Sequence, residues 1–179
     1  MNQGLLTGEK TAAVQKLLEA LQQKKTTAVY DLPESQAIYL AALITRITGK
    51  RVLLVLPNDL AASKETEDAQ QLVGNASACL PSGEIELGRG VSSHENTWRR
   101  LETLQKVVSG ETKLLCVSMD AMLRRMASPD QFKQALLRLA PGDRIMPDQL
   151  MSQLLRMGYE RVEMVEGKGQ CALRGSIVD

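Results

Sequence analysis

The spacing of apolar residues along the 179-residue chain divides it into alternating elements. Val14, Leu17, Leu18 and Leu21 recur at helical intervals and predict an amphipathic helix over residues 9–23. Residues 26–30, Thr-Thr-Ala-Val-Tyr, form a short run of strand-favouring side chains and predict a buried strand. Residues 31–35 read as a turn, with Pro33 placed as an early helix residue. The helix that follows carries Ile38, Leu40, Ala41, Leu43, Ile44 and Ile47, and Gly49 stops it. Residues 51–56 are nearly all apolar and end at Pro57, the pattern of a strand covered on both faces. Residues 59–73 complete the first half as another helix.

Strands that do not alternate, separated by helices, imply a parallel α/β sheet built through crossovers. The rhythm continues with a short strand at 77–80, a glycine-containing loop at 81–92, and a helix at 93–108. That helix presents Trp98, Leu101, Leu104, Val107 and Val108 on one side. A buried strand at 114–118 follows, then a helix capped by Asp120 and running to Arg125. Near Ala127 the pattern changes. A short helical stretch at 129–134, an extended segment at 136–139 and a turn at 141–143 lead to a helix over 148–157 closed by Gly158. Residues 161–166 and 170–174, joined through Gly167-Lys168-Gly169, predict a β-hairpin. The expected organisation is therefore a parallel-sheet domain over 1–135 and the start of a small α+β domain over 136–179. The β-branched run at Ile177-Val178 carries no turn or cap, so the second domain reads as truncated at Asp179.

Charge narrows the functional classes. With 22 Lys+Arg against 21 Asp+Glu the net charge is +1, so the cation excess that drives sequence-independent nucleic-acid binding is missing. Aromatic residues make up 3% of the chain, leaving few stacking platforms for single strands. No window reaches the roughly 18 apolar residues of a membrane span. The polar start lacks the pattern of a signal peptide, and a cytoplasmic location is expected. Cys79, Cys116 and Cys171 are widely spaced in apolar contexts and read as packed, reduced thiols. One histidine and no Cys-x-x-Cys motif give no metal-ligand set.

In a parallel α/β sheet a phosphate is held at the turn after the first strand, where helix amides point outward. A working phosphate loop supplies glycines for close backbone approach, a lysine, and a Ser/Thr for Mg²⁺. Residues 31–38 instead contain Asp31, Glu34, Gln36, Ala37 and Ile38, with no glycine or lysine and with two carboxylates that repel a triphosphate. This reads as a degenerate nucleotide site that holds no cofactor. His94 and Glu95 are a candidate acid/base pair, but adjacent helix residues do not face one another. Ser92 and Ser93 lack a nucleophile elbow, and Gly88-Arg89-Gly90 carries only a loop signal. Arg99-Arg100 and Arg124-Arg125 are candidate phosphate contacts, but read first as solvated surface or interface. No complete catalytic constellation emerges.

Several stretches carry a family resemblance. Residues 100–104, Gly110-Glu111, the strand to Ser118 and residues 121–125 resemble the N-terminal domain of the bacterial transcription-repair coupling factors (Mfd). Residues 142–145, Leu150, Leu154, 158–162, Val165-Glu166, Gly169 and 172–179 resemble the start of the next module of that family, which is shared with UvrB and binds UvrA. The similarity covers about residues 26–179, and Gly-Tyr-x-Arg-Val through Arg-Gly-x-Ile-x-Asp is its most specific part. The resemblance implies a degenerate RecA-like first domain that lacks both a phosphate loop and UvrB's DNA-wedging hairpin, for which segment 81–92 is too short. It also implies a non-enzymatic role in recruiting UvrA during transcription-coupled repair, with other domains of the parent as further partners and DNA contacted only weakly or indirectly. Arg174 matches the family's Arg-Gly motif, which contacts UvrA, while Ser176 stands where the family usually has a second glycine. The family's remaining contact positions lie beyond Asp179, so UvrA binding by these residues alone is expected to be weak or absent. The alternatives are a divergent P-loop ATPase or helicase fragment that retains nucleotide binding, and a structural module that restrains the parent's motor.

Overall fold

A computed structural model describes residues 11–83 and 94–179, apart from the side chains of Glu34, His94 and Glu95. The elements are α1 (Ala12–Gln22), α2 (Glu34–Thr48), β1 (Val52–Leu56), α3 (Asp59–Val73), β2 (Ser77–Leu80), α4 (His94–Ser109), β3 (Leu114–Ser118), α5 (Met119–Leu123), α6 (Pro129–Gln134), α7 (Pro147–Arg156), β4 (Glu160–Arg161), β5 (Gln170–Cys171), β6 (Leu173–Arg174) and β7 (Ile177–Val178). They fall into two compact units. One comprises the described residues of Met1–Ile85 with Arg99–Arg124, the other those of Glu86–Trp98 with Arg125–Asp179.

The first unit is the parallel α/β layer that the apolar runs imply. β3 lies between β1 and β2, parallel to both, with Leu54 opposite Cys116 and Cys79 opposite Cys116 on its other side. Local signals set the helix ends. Gly49 closes α2 at φ 65°, a conformation that costs glycine little. The Asn58 side chain caps α3 by accepting the Ala61 N–H at 2.9 Å. On one face of the sheet, Ile38, Ala41, Ala42 and Leu43 of α2 and Ala69 of α3 pack on Leu114 and Cys116, with Val52, Leu54 and Leu56 beside them. On the other face a smaller cluster joins Leu80, Val117 and Ala121 with Leu104 and Leu115.

Three expectations are corrected here. Residues 26–30 are not a strand: they lie exposed and outside the sheet, with Tyr30 83% accessible. Their β-branched composition suits a strand, but strand propensity is realised only where a neighbour offers a ladder and a face to pack on. β1 is also not covered on both faces. It is an edge strand whose Leu53 and Val55 remain 53% and 38% accessible, because the second cluster lies over β2 and β3. The helix after β3 is capped by Ser118 rather than Asp120, with the Ser118 hydroxyl accepting the Ala121 N–H.

In the second unit Ser128 and Gln131 form a reciprocal capping box at α6, and Pro147 opens α7 at a position where no N–H is needed. The expected hairpin between 161–166 and 170–174 is also corrected. β4 and β5 pair in parallel, the Glu160 N–H donating to the Gly169 carbonyl at 2.8 Å and the Val162 N–H to that of Cys171 at 2.9 Å. A glycine-containing connection does not by itself dictate an antiparallel return. The antiparallel hairpin lies further along, between β6 and β7, turning through Gly175 and Ser176. Gly175 has φ 62°, so the first loop position takes the left-handed conformation. Ser176 has no positive φ, which makes serine acceptable where a second glycine is common.

Trp98 packs on Tyr159, ring centroids 5.5 Å apart and tilted by 57°. Its indole also covers Gly169, where a Cβ would lie 2.6 Å from Trp98 Cζ2. Cys116 and Cys171 are buried and Cys79 is partly so, as their apolar contexts imply. Among the described residues no helix is long and apolar enough to cross a membrane.

Candidate functional site

Residues 31–38 form the entrance of α2 rather than a strand-to-helix turn, because no strand precedes them among the described residues. Asp31 is exposed at φ 56°, Pro33 holds the N-cap position, and the Gln36 N–H donates to the Pro33 carbonyl at 2.8 Å. Glu34 is the first helical residue. Ala37 is half-buried and Ile38, only 2% accessible, belongs to the core. Their disposition is that of a helix anchored through Ile38.

The polar centre of the first unit lies at the C-terminal ends of its strands, the usual ligand position in parallel α/β sheets. Asp59, following β1, accepts the Ser82 N–H at 3.0 Å, the Ser82 hydroxyl that follows β2, and the Ser118 hydroxyl at the end of β3. One carboxylate thus ties all three strand ends together. Burial raises the Asp59 pKa, but the hydrogen bonds from Ser118 and Ser82, with the nearby Arg100 guanidinium, outweigh it and hold the carboxyl below its usual range. Arg100 donates to the Pro81 carbonyl. Its own pKa is lowered by burial first and by Arg124 second. The Arg124 guanidinium lies beside Gly83, its Nη1 3.5 Å from the position of a Cβ there. The structure therefore brings together one arginine from each of the two sequence pairs. Sequence reading missed this cluster, although each of its residues ends or closely follows a parallel strand or borders the loop between them.

In the second unit Arg174 stands on β6 immediately before the hairpin turn, its side chain 63% accessible. It pairs with the Asp179 carboxylate, and the backbones of Ala172 and Asp179 exchange hydrogen bonds at 3.1 and 3.0 Å. Asp179 also borders an apolar cleft of about 300 Å³, lined by Leu137, Leu139, Leu150, Leu154, Tyr159 and Val178 among others. An exposed guanidinium whose carboxylate partner borders an apolar cleft suits protein recognition, since arginine and buried apolar anchors are common among the residues that carry interface energy. His94 opens α4, while Ser92, Ser93 and Gly88-Arg89-Gly90 lie outside the described residues.

The hairpin and the cleft fall in a recognised family: residues 137–179 match the UvrB interaction domain family. Among relatives, the chain is 30% identical over 147 residues to the transcription-repair-coupling factor of Bacillus subtilis (strain 168), covering 81% of this chain and 12% of that protein. It is 25% identical over 189 residues to UvrABC system protein B of Chlorobium limicola, covering 96% of this chain and 28% of that protein. It is also 29% identical over 132 residues to the transcription-repair-coupling factor of Staphylococcus epidermidis (strain ATCC 12228 / FDA PCI 1200), covering 73% and 11% respectively. The chain is thus a UvrB-like relative of the transcription-repair-coupling factors, and it spans about an eighth of the length of those it matches.

Proposed function

We propose that this chain is the non-catalytic, UvrB-like region of a transcription-repair coupling factor, and that it recruits UvrA in transcription-coupled nucleotide excision repair in the cytoplasm. In this reading residues 1–135 are a degenerate RecA-like domain whose residues 31–38 no longer hold nucleotide. Residues 136–179 begin the domain that meets UvrA, and other domains of the parent supply the motor. The observation that carries the reading is the match of residues 137–179 to the UvrB interaction domain, with the exposed Arg174 paired to Asp179, which lines an apolar cleft within it. The guanidinium offers a planar fork to a carboxylate on UvrA, and the cleft receives an apolar anchor from the same surface.

The test is capture of purified UvrA by the full-length protein, compared with its Arg174→Ala variant. Loss of a charge-paired interface arginine costs about 2 kcal/mol, a weakening of roughly thirtyfold. Equal binding by the variant removes Arg174 from the interface, and no capture by either protein refutes the recruitment reading. The alternative of a retained nucleotide site is tested by titrating ATP and Mg²⁺ against the chain, with saturable binding at residues 31–38 as the outcome that favours it.

A further inference from the structure

We infer that Arg100 and Arg124 form a binding site for a single phosphate group at the C-terminal end of the parallel sheet, separate from the Arg174 surface. Two guanidiniums lie against the residues that follow β2. Arg100 on α4 donates to the Pro81 carbonyl, and Arg124, just beyond α5, lies against Gly83. Among the described residues neither lies within 4.0 Å of a carboxylate. Asp59, the carboxylate whose charge acts on Arg100, is already committed to three hydrogen bonds from Ser82 and Ser118. Among the described residues the local balance is two cations against one anion whose acceptor sites are largely filled. Burial, and after it the charge of Arg124, makes Arg100 harder to charge. An oxyanion between the guanidiniums removes this repulsion and accepts from both planar forks, the geometry that arginine offers phosphate.

Phosphate fits better than an extended polyanion. The chain carries a net charge of only +1, so the pair is a local site rather than one end of a basic track. The group comes either from the end of a nucleotide or from a phosphodiester backbone. Binding at this pair uses none of residues 31–38 and is independent of whether those residues once held a nucleotide.

The experiment titrates the chain with inorganic phosphate at constant ionic strength, following the Arg100 and Arg124 side-chain resonances by NMR. The same titration is run on Arg124→Gln and Arg124→Lys, with the backbone spectrum reporting that each is folded. Saturable shifts at both guanidiniums are expected. Removing one charge-assisted contact weakens binding roughly tenfold in Arg124→Gln. The loss in Arg124→Lys is smaller, because the charge survives without the fork. Competition by ATP without Mg²⁺ assigns the phosphate to a nucleotide terminus, whereas competition by a short single-stranded oligonucleotide assigns it to a phosphodiester. Linear, non-saturating shifts, or a titration unchanged in Arg124→Gln, overturn the site. If the glutamine variant does not fold, the wild-type and lysine titrations still decide, since equal affinity in those two refutes recognition through the fork.

Discussion

Replacing Gly169 by alanine sets a methyl group against the chain's single tryptophan, and the expected damage follows from two terms. Gly169 has φ 89°, and an L-residue held in the left-handed region costs roughly 1–2 kcal/mol. The new Cβ would stand 2.6 Å from Trp98 Cζ2 and 3.1 Å from Cε2 and Nε1. Carbon atoms in van der Waals contact sit about 3.5–4.0 Å apart, so the indole must move by about 1 Å while remaining packed on Tyr159. Overpacking of this kind costs roughly 1–3 kcal/mol. Gly169→Ala should therefore lose about 2–5 kcal/mol, concentrated in the second unit. Urea unfolding followed by far-ultraviolet circular dichroism measures this, with Trp98 fluorescence reporting the second unit on its own. Trp98→Leu provides the control, because alanine at 169 then meets no ring and only the backbone term remains. A coupling energy of about 1–3 kcal/mol between the two substitutions is expected. Coupling below roughly 0.5 kcal/mol would refute the packing argument and leave backbone strain as the whole effect.

Asp59→Ala should cost about 2 kcal/mol, because it removes a charged acceptor shared by two serines, and chemical denaturation measures it. Since folding lowers the Asp59 pKa, its contribution is present above the ordinary carboxylate range and is lost as pH falls through the lowered value. Acid unfolding of Asp59→Asn should accordingly be less steep than that of the wild type. Burial pushes the Cys116 thiol up to about 11 and raises that of Cys79, so both should react slowly with a thiol reagent at pH 8 in the native state and rapidly in urea. The stability gained from keeping Cys116 protonated is complete below the ordinary thiol pKa and disappears as pH rises towards 11. Leu53→Ser on the open face of β1 should change stability by less than about 1 kcal/mol, against about 2–5 kcal/mol for Leu114→Ala in the core. Comparable losses would mean that the face of β1 is covered after all.

Local chemistry made much of the first unit legible. The limits of α3, β2 and β3 agree with their apolar runs and flanking caps, since Pro57, Asn58 and the apolar core of β3 all act within a few residues of themselves. Gly49 ended α2 for the same reason. The strand expected at residues 26–30 failed because composition does not provide a partner edge, and the hairpin expected after Arg161 failed because two short apolar runs cannot specify their relative direction. Arg174 was singled out by its motif alone; the structure adds its exposure and its pairing with Asp179, and its contact with UvrA is part of the proposal. The Asp59 cluster was not legible, because its members are separated by 23 and 59 positions in the chain.

The sequence by itself determined the parallel-sheet class, most of the helix ends, the packing of the cysteines in apolar surroundings and the UvrB-like resemblance. Each of these rests on periodicity, on capping chemistry or on a contiguous motif. Only the tertiary structure decided that β3 lies between β1 and β2, that one face of β1 is left open, that Trp98 closes on Gly169, and that Arg100 and Arg124 lie against Pro81 and Gly83, near a carboxylate already engaged by two serines. Those features depend on contacts between segments far apart in the chain. Their free energies are set by which surfaces meet, and no local pattern encodes that.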